Sequence, residues 1–173
     1  MFQIGDAVFY GTDGVCRITA IVRKAVGGLL RDYYELHPVY RRDAVLYLPT
    51  DNEKVCSRLR RVLTRDEIMT AIRAIPEEEC LWVDSDNRRK ELCQEVLRSG
   101  DHVRLIRMIK SLYGRRDILK EQGRRMHAAD ENFLKEAEKI LHEEFAYVLN
   151  ISQTDVLSFI RAEIGLEAAS TSS

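Results

Sequence analysis

The hydrophobic period of the chain changes at Thr64, and no other feature restricts the fold as much. Upstream of it, β-branched and aromatic residues gather in short runs at 6–10, 15–24, 30–36 and 44–48, with a fifth around 55–59. Turn residues separate the runs. Gly11-Thr-Asp-Gly14 follows the first. Gly27-Gly28 follows the second and suits a two-residue hairpin turn. Partial alternation with turns roughly every ten residues predicts a small antiparallel barrel or a strongly bent sheet.

Downstream, the period becomes helical. Thr64-Arg-Asp-Glu67 is a capping box, in which the Thr hydroxyl takes a first-turn N–H and Glu67 reaches back. It predicts a helix over 65–75, stopped by Pro76. A linker carrying Trp82 comes next. Ser85 or Asp86 caps a helix over 87–98 that ends at Gly100, and Asp101 caps a third with Leu105, Ile106, Ile109, Leu112 and Tyr113 on one face. After a loop at Gly123, a long helix over 130–149 turns Phe133, Leu134, Ala137, Ile140, Leu141 and Val148 inward. Ser152-Gln-Thr-Asp155 reads as a second capping box opening a last helix. The expected architecture is therefore α+β: a β module over 1–62, an all-α domain of about five helices over 63–166, and a flexible polar tail over 167–173.

Charge narrows the function. The net charge of −1 argues against gross affinity for nucleic acid, but residues 82–125 carry a net +5, residues 126–173 a net −6 and residues 41–61 a net +3. Such asymmetry either holds a basic patch on a near-neutral protein or is only solvated helix surface. No window approaches a membrane span. Met-Phe-Gln-Ile-Gly-Asp lacks the basic and apolar regions of a signal peptide, so a cytoplasmic location is expected. Cys16, Cys56, Cys80 and Cys93 form no C-x-x-C pair and share no ligand spacing with His37, His102, His127 or His142. Reduced thiols are expected rather than a zinc site, with no metal and no cofactor.

No phosphate-loop, dinucleotide, zinc-protease or nucleophile-elbow motif occurs. Cys16 has no evident histidine partner, and acidic residues sit at helical pairing distances, as Glu136 does with Lys139. A binding protein is expected, not an enzyme. The β module either recruits a partner by strand addition or is simply a folded sheet. Trp82, the only Trp, lies between Pro76 and Arg88-Arg89-Lys90. It is either an interhelix core residue or a flat aromatic that stacks on distorted DNA while cations hold the phosphates.

Several motifs together resemble a known family. Phe2-Gln-Ile-Gly-Asp-Ala-Val-Phe-Tyr10, Gly14-Val15, Ala20-Ile21, Tyr33-Tyr34-Glu-Leu36 and Leu48-Pro49 resemble the amino-terminal module of the CarD/CdnL family of bacterial transcription regulators. Trp82, Arg88-Arg89-Lys90, Leu97-x-Ser-Gly-Asp101 and the two long helices resemble its carboxy-terminal domain in the same order. The resemblance implies a Tudor-like or SH3-like barrel that binds the β subunit of RNA polymerase. It also implies a helical domain that wedges a Trp into the minor groove at the upstream edge of the promoter bubble. On this footing Trp82, Arg88, Arg89 and Lys90, then Arg124 and Arg125, are the expected DNA contacts, sequence-nonspecific and weak without the polymerase. Lys24, Arg42, Tyr47 and Pro49 are the expected polymerase contacts. The chain departs from the family in two places: Val83-Asp-Ser-Asp-Asn87 intervenes between Trp82 and the cations, and Tyr47 stands where members often carry arginine. A protein-interaction adaptor that never touches DNA is the competing reading.

Overall fold

Two reversals of the chain set up the first unit, Met1–Val62. In the computed structural model, which describes residues 1–80 and 82–171 (the side chains of 166–171 excepted), β1 (Ala7–Tyr10) turns at Gly11–Asp13 into β2 (Gly14–Val26). Gly27 and Gly28 then adopt φ of 59° and 79°, a conformation that costs other residues a steric penalty and that matches the twist of a tight hairpin. β3 (Leu29–Pro38) therefore runs back along β2, from Val26 opposite Leu29 to Cys16 opposite Pro38. β4 (Leu46–Pro49) pairs with β3, and β5 (Leu59–Arg61) pairs with β1. The result is a five-stranded, fully antiparallel, Tudor-like sheet ordered β4-β3-β2-β1-β5. Its core is Val8, Cys16, Ile18, Tyr34, Leu36, Leu48 and Leu59.

A register shift between Ile18 and Ala20 marks a bulge, and bulges bend and twist the strand that carries them. Beyond it the hairpin becomes an arm. β1 reaches only Gly14–Arg17 of β2, and β4 reaches only Tyr33–Leu36 of β3. Residues 23–26 and 29–32 pair only with one another among the described ladders, with an Arg23–Asp32 ion pair at 2.8 Å between them. Val26, Leu29 and Leu30 at the tip are exposed.

The second unit, Leu63–Ser173, is helical. α2 (Arg65–Ala74) starts where the capping box predicts, with Glu67 N donating to Thr64 Oγ1 at 3.2 Å and Thr64 N donating to Glu67 Oε2 at 2.7 Å. α3 (Asp86–Ser99) stops at Gly100, whose φ of 62° ends the helix. α4 (His102–Glu121) is capped by Asp101, α5 spans Ala128–Leu149, and α6 spans Val156–Thr171. Ile68, Ile72, Leu105, Met108, Leu112, Ile140 and Phe145 form the fully buried centre. Buried Glu144 of α5 accepts the Leu63 N–H at 2.9 Å and so anchors the entry to this unit. No described helix is long and apolar enough to cross a membrane.

Two local expectations change. Residues around 55–59 do not begin as a strand. Asn52 accepts the Val55 N–H at 3.2 Å and caps a short helix, α1 (Glu53–Cys56), which delays β5 to Leu59. Ser152 does not open an α-helical capping box. It accepts the Thr154 N–H within a 3-10 turn, Gln153–Asp155, and α6 begins after it. The tail expected over 167–173 lies outside the fully described residues: 172 and 173 are not described, and of 166–171 only the backbone is.

Burial separates the thiols. It pushes the Cys93 thiol up to about 11, whereas Cys80 is exposed. A thiol reagent at neutral pH is expected to modify Cys80 in the native protein and Cys93 only as fast as the fold opens. Equal native rates for the two, measured by mass spectrometry of a labelling time course, would contradict this packing.

Candidate functional site

The linker between α2 and α3 carries Trp82, and it is pinned on both sides of that residue. On the near side, Lys110 of α4 donates to the carbonyls of Ile75, Pro76 and Glu78 at 2.8–3.1 Å. Arg107 adds a 2.7 Å ion pair to Glu78. An ammonium is well suited to this place, because the last carbonyls of a helix have no partner of their own. On the far side the holder is Arg89. Its guanidinium grips Asp130 of α5 through Nε (3.0 Å) and Nη2 (2.9 Å), reaches Asp86 at 2.6 Å, and donates through Nη1 to the Val83 carbonyl at 3.0 Å. The side chains of Arg89 and Asp130 are each only 6% exposed. Hydrogen bonding to Asp130 raises the Arg89 pKa above its ordinary value, and the bond from Arg89 holds the Asp86 carboxyl below its own.

Trp82 rests against this anchor. Its ring centroid is 4.5 Å from the Arg89 guanidinium carbon and 5.5 Å from that of Arg115. Its Nε1–H donates to Asp84 Oδ1 at 3.0 Å. The ring is half-buried, so it is neither a core residue nor a free one. Trp82, Arg89, Arg115, Arg124, Arg125 and His127 line one cavity with Asp84, Asp86 and Asp130. Cations over an aromatic face interact with its quadrupole and also make the surroundings attractive to an anion.

The structure thus brings Trp82, Arg89, Arg124 and Arg125 together and leaves Arg88 and Lys90 outside that cavity. Arg88 and Lys90 are exposed on α3, and Lys90 faces a neighbouring cavity with Phe133. Arg89, also expected to contact DNA, has its donors on Asp130, Asp86 and the Val83 carbonyl, and through them it braces the linker that carries Trp82. Arg115 was missed. Its sequence signal is the Arg115-Arg116 pair four residues before Leu119, which puts a cation one turn from a buried residue and so beside the packed face of α4.

The other expected contact residues, Lys24, Arg42, Tyr47 and Pro49, lie in the sheet unit. Lys24 Nζ sits 3.1 Å from the centre of the Tyr47 ring. Tyr47 is on β4, the edge strand, opposite Glu35. Hydrogen bonds from His37 (3.1 Å) and Thr19 (3.0 Å) hold the Glu35 carboxyl below its usual pKa. Pro49 ends β4 opposite Tyr33, and a proline there has no N–H to offer a further strand. Arg42 is exposed in the turn before β4. The edge therefore offers backbone groups, a cation stacked on an aromatic, and a defined stop.

Residues 2–63 match the CarD-like/TRCF RID domain family, and residues 67–161 match the CarD, C-terminal domain family. A search of the curated proteins gave no match.

The bracing role of Arg89 has a measurable cost. Removing one partner of a buried ion pair strands the other, so Arg89→Ala should lower unfolding stability by about 3–5 kcal/mol. Arg88→Ala, on an exposed surface, should change it by less than about 0.5 kcal/mol. Urea unfolding followed by circular dichroism checks both, and similar values for the two would remove Arg89 from its role as anchor.

Proposed function

This chain belongs to the CarD family of RNA polymerase-interacting transcription factors, and from that membership we propose a division of labour between its two units. Residues 1–62 dock on the β subunit of the polymerase, and residues 63–166 place Trp82 at the upstream edge of the promoter bubble. The protein thereby stabilises the open complex. The observation that carries this reading is the convergence of half-buried Trp82 with Arg115, Arg124 and Arg125 on one cavity wall.

The docking half draws on the β4 edge. Strand addition there supplies main-chain hydrogen bonds, and the Lys24–Tyr47 pair, with Arg42 and Pro49 nearby, supplies selectivity. The DNA half needs little affinity of its own. A tethered second contact acts at an effective concentration set by the tether, so a nearly neutral protein can work on DNA that it would scarcely hold alone. The cations engage phosphates without reading sequence, Arg124 and Arg125 beside the indole and Arg88 and Lys90 on the exposed face of α3. The indole then wedges into the minor groove, where bases have already parted and the cost of unstacking is least. Bubble collapse must expel the ring, which slows collapse. Promoters limited by collapse gain, and promoters limited by escape lose.

A wedge that contributes about 1.4 kcal/mol slows collapse roughly tenfold. Trp82→Ala should therefore shorten open-complex lifetime several-fold to tenfold in a competitor-challenge assay while polymerase binding persists. Lys24→Glu should show the converse defect, with loss of polymerase capture and an unchanged helical unit. An unaltered lifetime for Trp82→Ala, with the polymerase still bound, would refute the wedge.

A further inference from the structure

Three of the arginines around Trp82 have no carboxylate of their own. Arg115, from the second half of α4, and Arg124 and Arg125, from the loop after it, line the cavity beside the indole. Among the described residues, none of the three has an Asp or Glu oxygen within 4.0 Å. Arg89 in the same cavity is the contrast, since Asp130 and Asp86 both bind it. The acids that share cavities with these arginines are Asp84, Asp86 and Asp130 beside Trp82, and Glu131 beside Arg124 and Arg125. Asp84 is exposed and lines the same wall, and it accepts the indole N–H at 3.0 Å.

We infer that this wall is a subsite for a single backbone phosphate of DNA, that Arg115 is one of its ligands, and that Asp84 opposes the phosphate while it holds the indole in place. The inference rests on the reading of Trp82 as a DNA contact and adds to it a ligand, a location and an internal competitor. The chemistry favours a phosphate. Guanidinium groups present forked N–H donors that match pairs of phosphate oxygens, and a concave wall lets several of them share one anion. A nucleotide strand carries the phosphate and a flat apolar surface within one residue of each other, which suits a half-buried ring beside arginines. Asp84 brings a fixed negative charge into the same cavity. It works against the incoming anion, and its hydrogen bond restricts the ring at the same time. The two functions separate by substitution. Asn at position 84 keeps an oxygen for the indole N–H and loses the charge.

Trp82 is the only Trp, so emission excited beyond the absorption of the tyrosines reports this cavity alone. The test titrates a short forked duplex into wild type, Asp84→Asn, Asp84→Glu and Arg115→Gln at low salt, then repeats each titration over a salt series. Asp84→Asn is expected to bind about three- to tenfold more tightly, and Arg115→Gln more weakly by a similar factor. The Arg115→Gln salt slope should be shallower by about 1. Asp84→Glu, which keeps the charge, should stay near wild type. Circular dichroism melts confirm that each variant is folded. If wild type binds the fork and quenches Trp82, but neutralising Asp84 and neutralising Arg115 both leave affinity unchanged, the subsite is refuted and the DNA reading stands. If the fork leaves Trp82 emission unchanged in wild type and also when presented on the polymerase, both readings fall. Quenching by inorganic phosphate at matched ionic strength, as strong as that by the fork, would assign the wall to a free anion and overturn the assignment to DNA.

Discussion

The ion pair between Arg89 and Asp130 is the interaction on which the Trp82 site depends. It joins α3 to α5 through two residues that are 41 apart in sequence. Buried pairs of this kind are weak sources of net stability, because desolvation offsets most of the attraction, but they are intolerant of disorder. If α3 slid against α5, Asp130 would be left as a buried charge without its partner, while Arg89 would keep only Asp86 of its own helix. The pair therefore fixes register. Once register is fixed, the remaining N–H groups of the guanidinium point at Asp86 and the Val83 carbonyl, and its face supports the Trp82 ring. The position of the indole follows from a helix–helix contact that the indole does not itself make.

That dependence explains which parts of the molecule can be read from the sequence. The hairpin at Gly27-Gly28 and the helix starts at Thr64 and Asp101 are legible because each is decided within four residues by turn or cap chemistry. The start of β5 is not. Val55 is β-branched, and only the competing hydrogen bond to Asn52 turns that stretch helical. Arg88, Arg89 and Lys90 look equivalent as a basic run, yet the middle one is committed to a carboxylate far along the chain, and no local signal marks it. Arg115 is the opposite case. Its spacing from Leu119 places it beside the packed face of α4, but what it faces there depends on the linker and on the start of α5, both set by tertiary packing.

Segment charge misleads for the same reason. Residues 126–173 carry a net −6, which on a surface would repel DNA. Several of these acids are committed inside the domain. Asp130 holds Arg89, Glu138 accepts the Tyr113 hydroxyl, and Glu144 anchors Leu63. The charges that remain outward are fewer than the sequence suggests. The arginines beside Trp82 keep their field because their own neighbourhood holds few free carboxylates, in a chain with nearly equal numbers of acids and bases.

The β2–β3 arm bears on how tightly this protein can hold any partner that touches Lys24. Two strands paired only with each other are marginally ordered in water. Residues 23–32 have that status in the ladder, and outside it they are steadied by an ion pair, a glycine turn, Lys24 over the Tyr47 ring, the Thr50 N–H on the Asp32 carbonyl and Arg31 beside Asp51. Whatever part of the arm frays when free must be ordered on contact, and that entropy is subtracted from the affinity before any contact is counted. The backbone of Gly27 and Gly28 thus enters the binding equilibrium without touching the partner. Evolution can tune residence on a partner by changing how well this turn is pre-shaped, leaving the contacting side chains as they are.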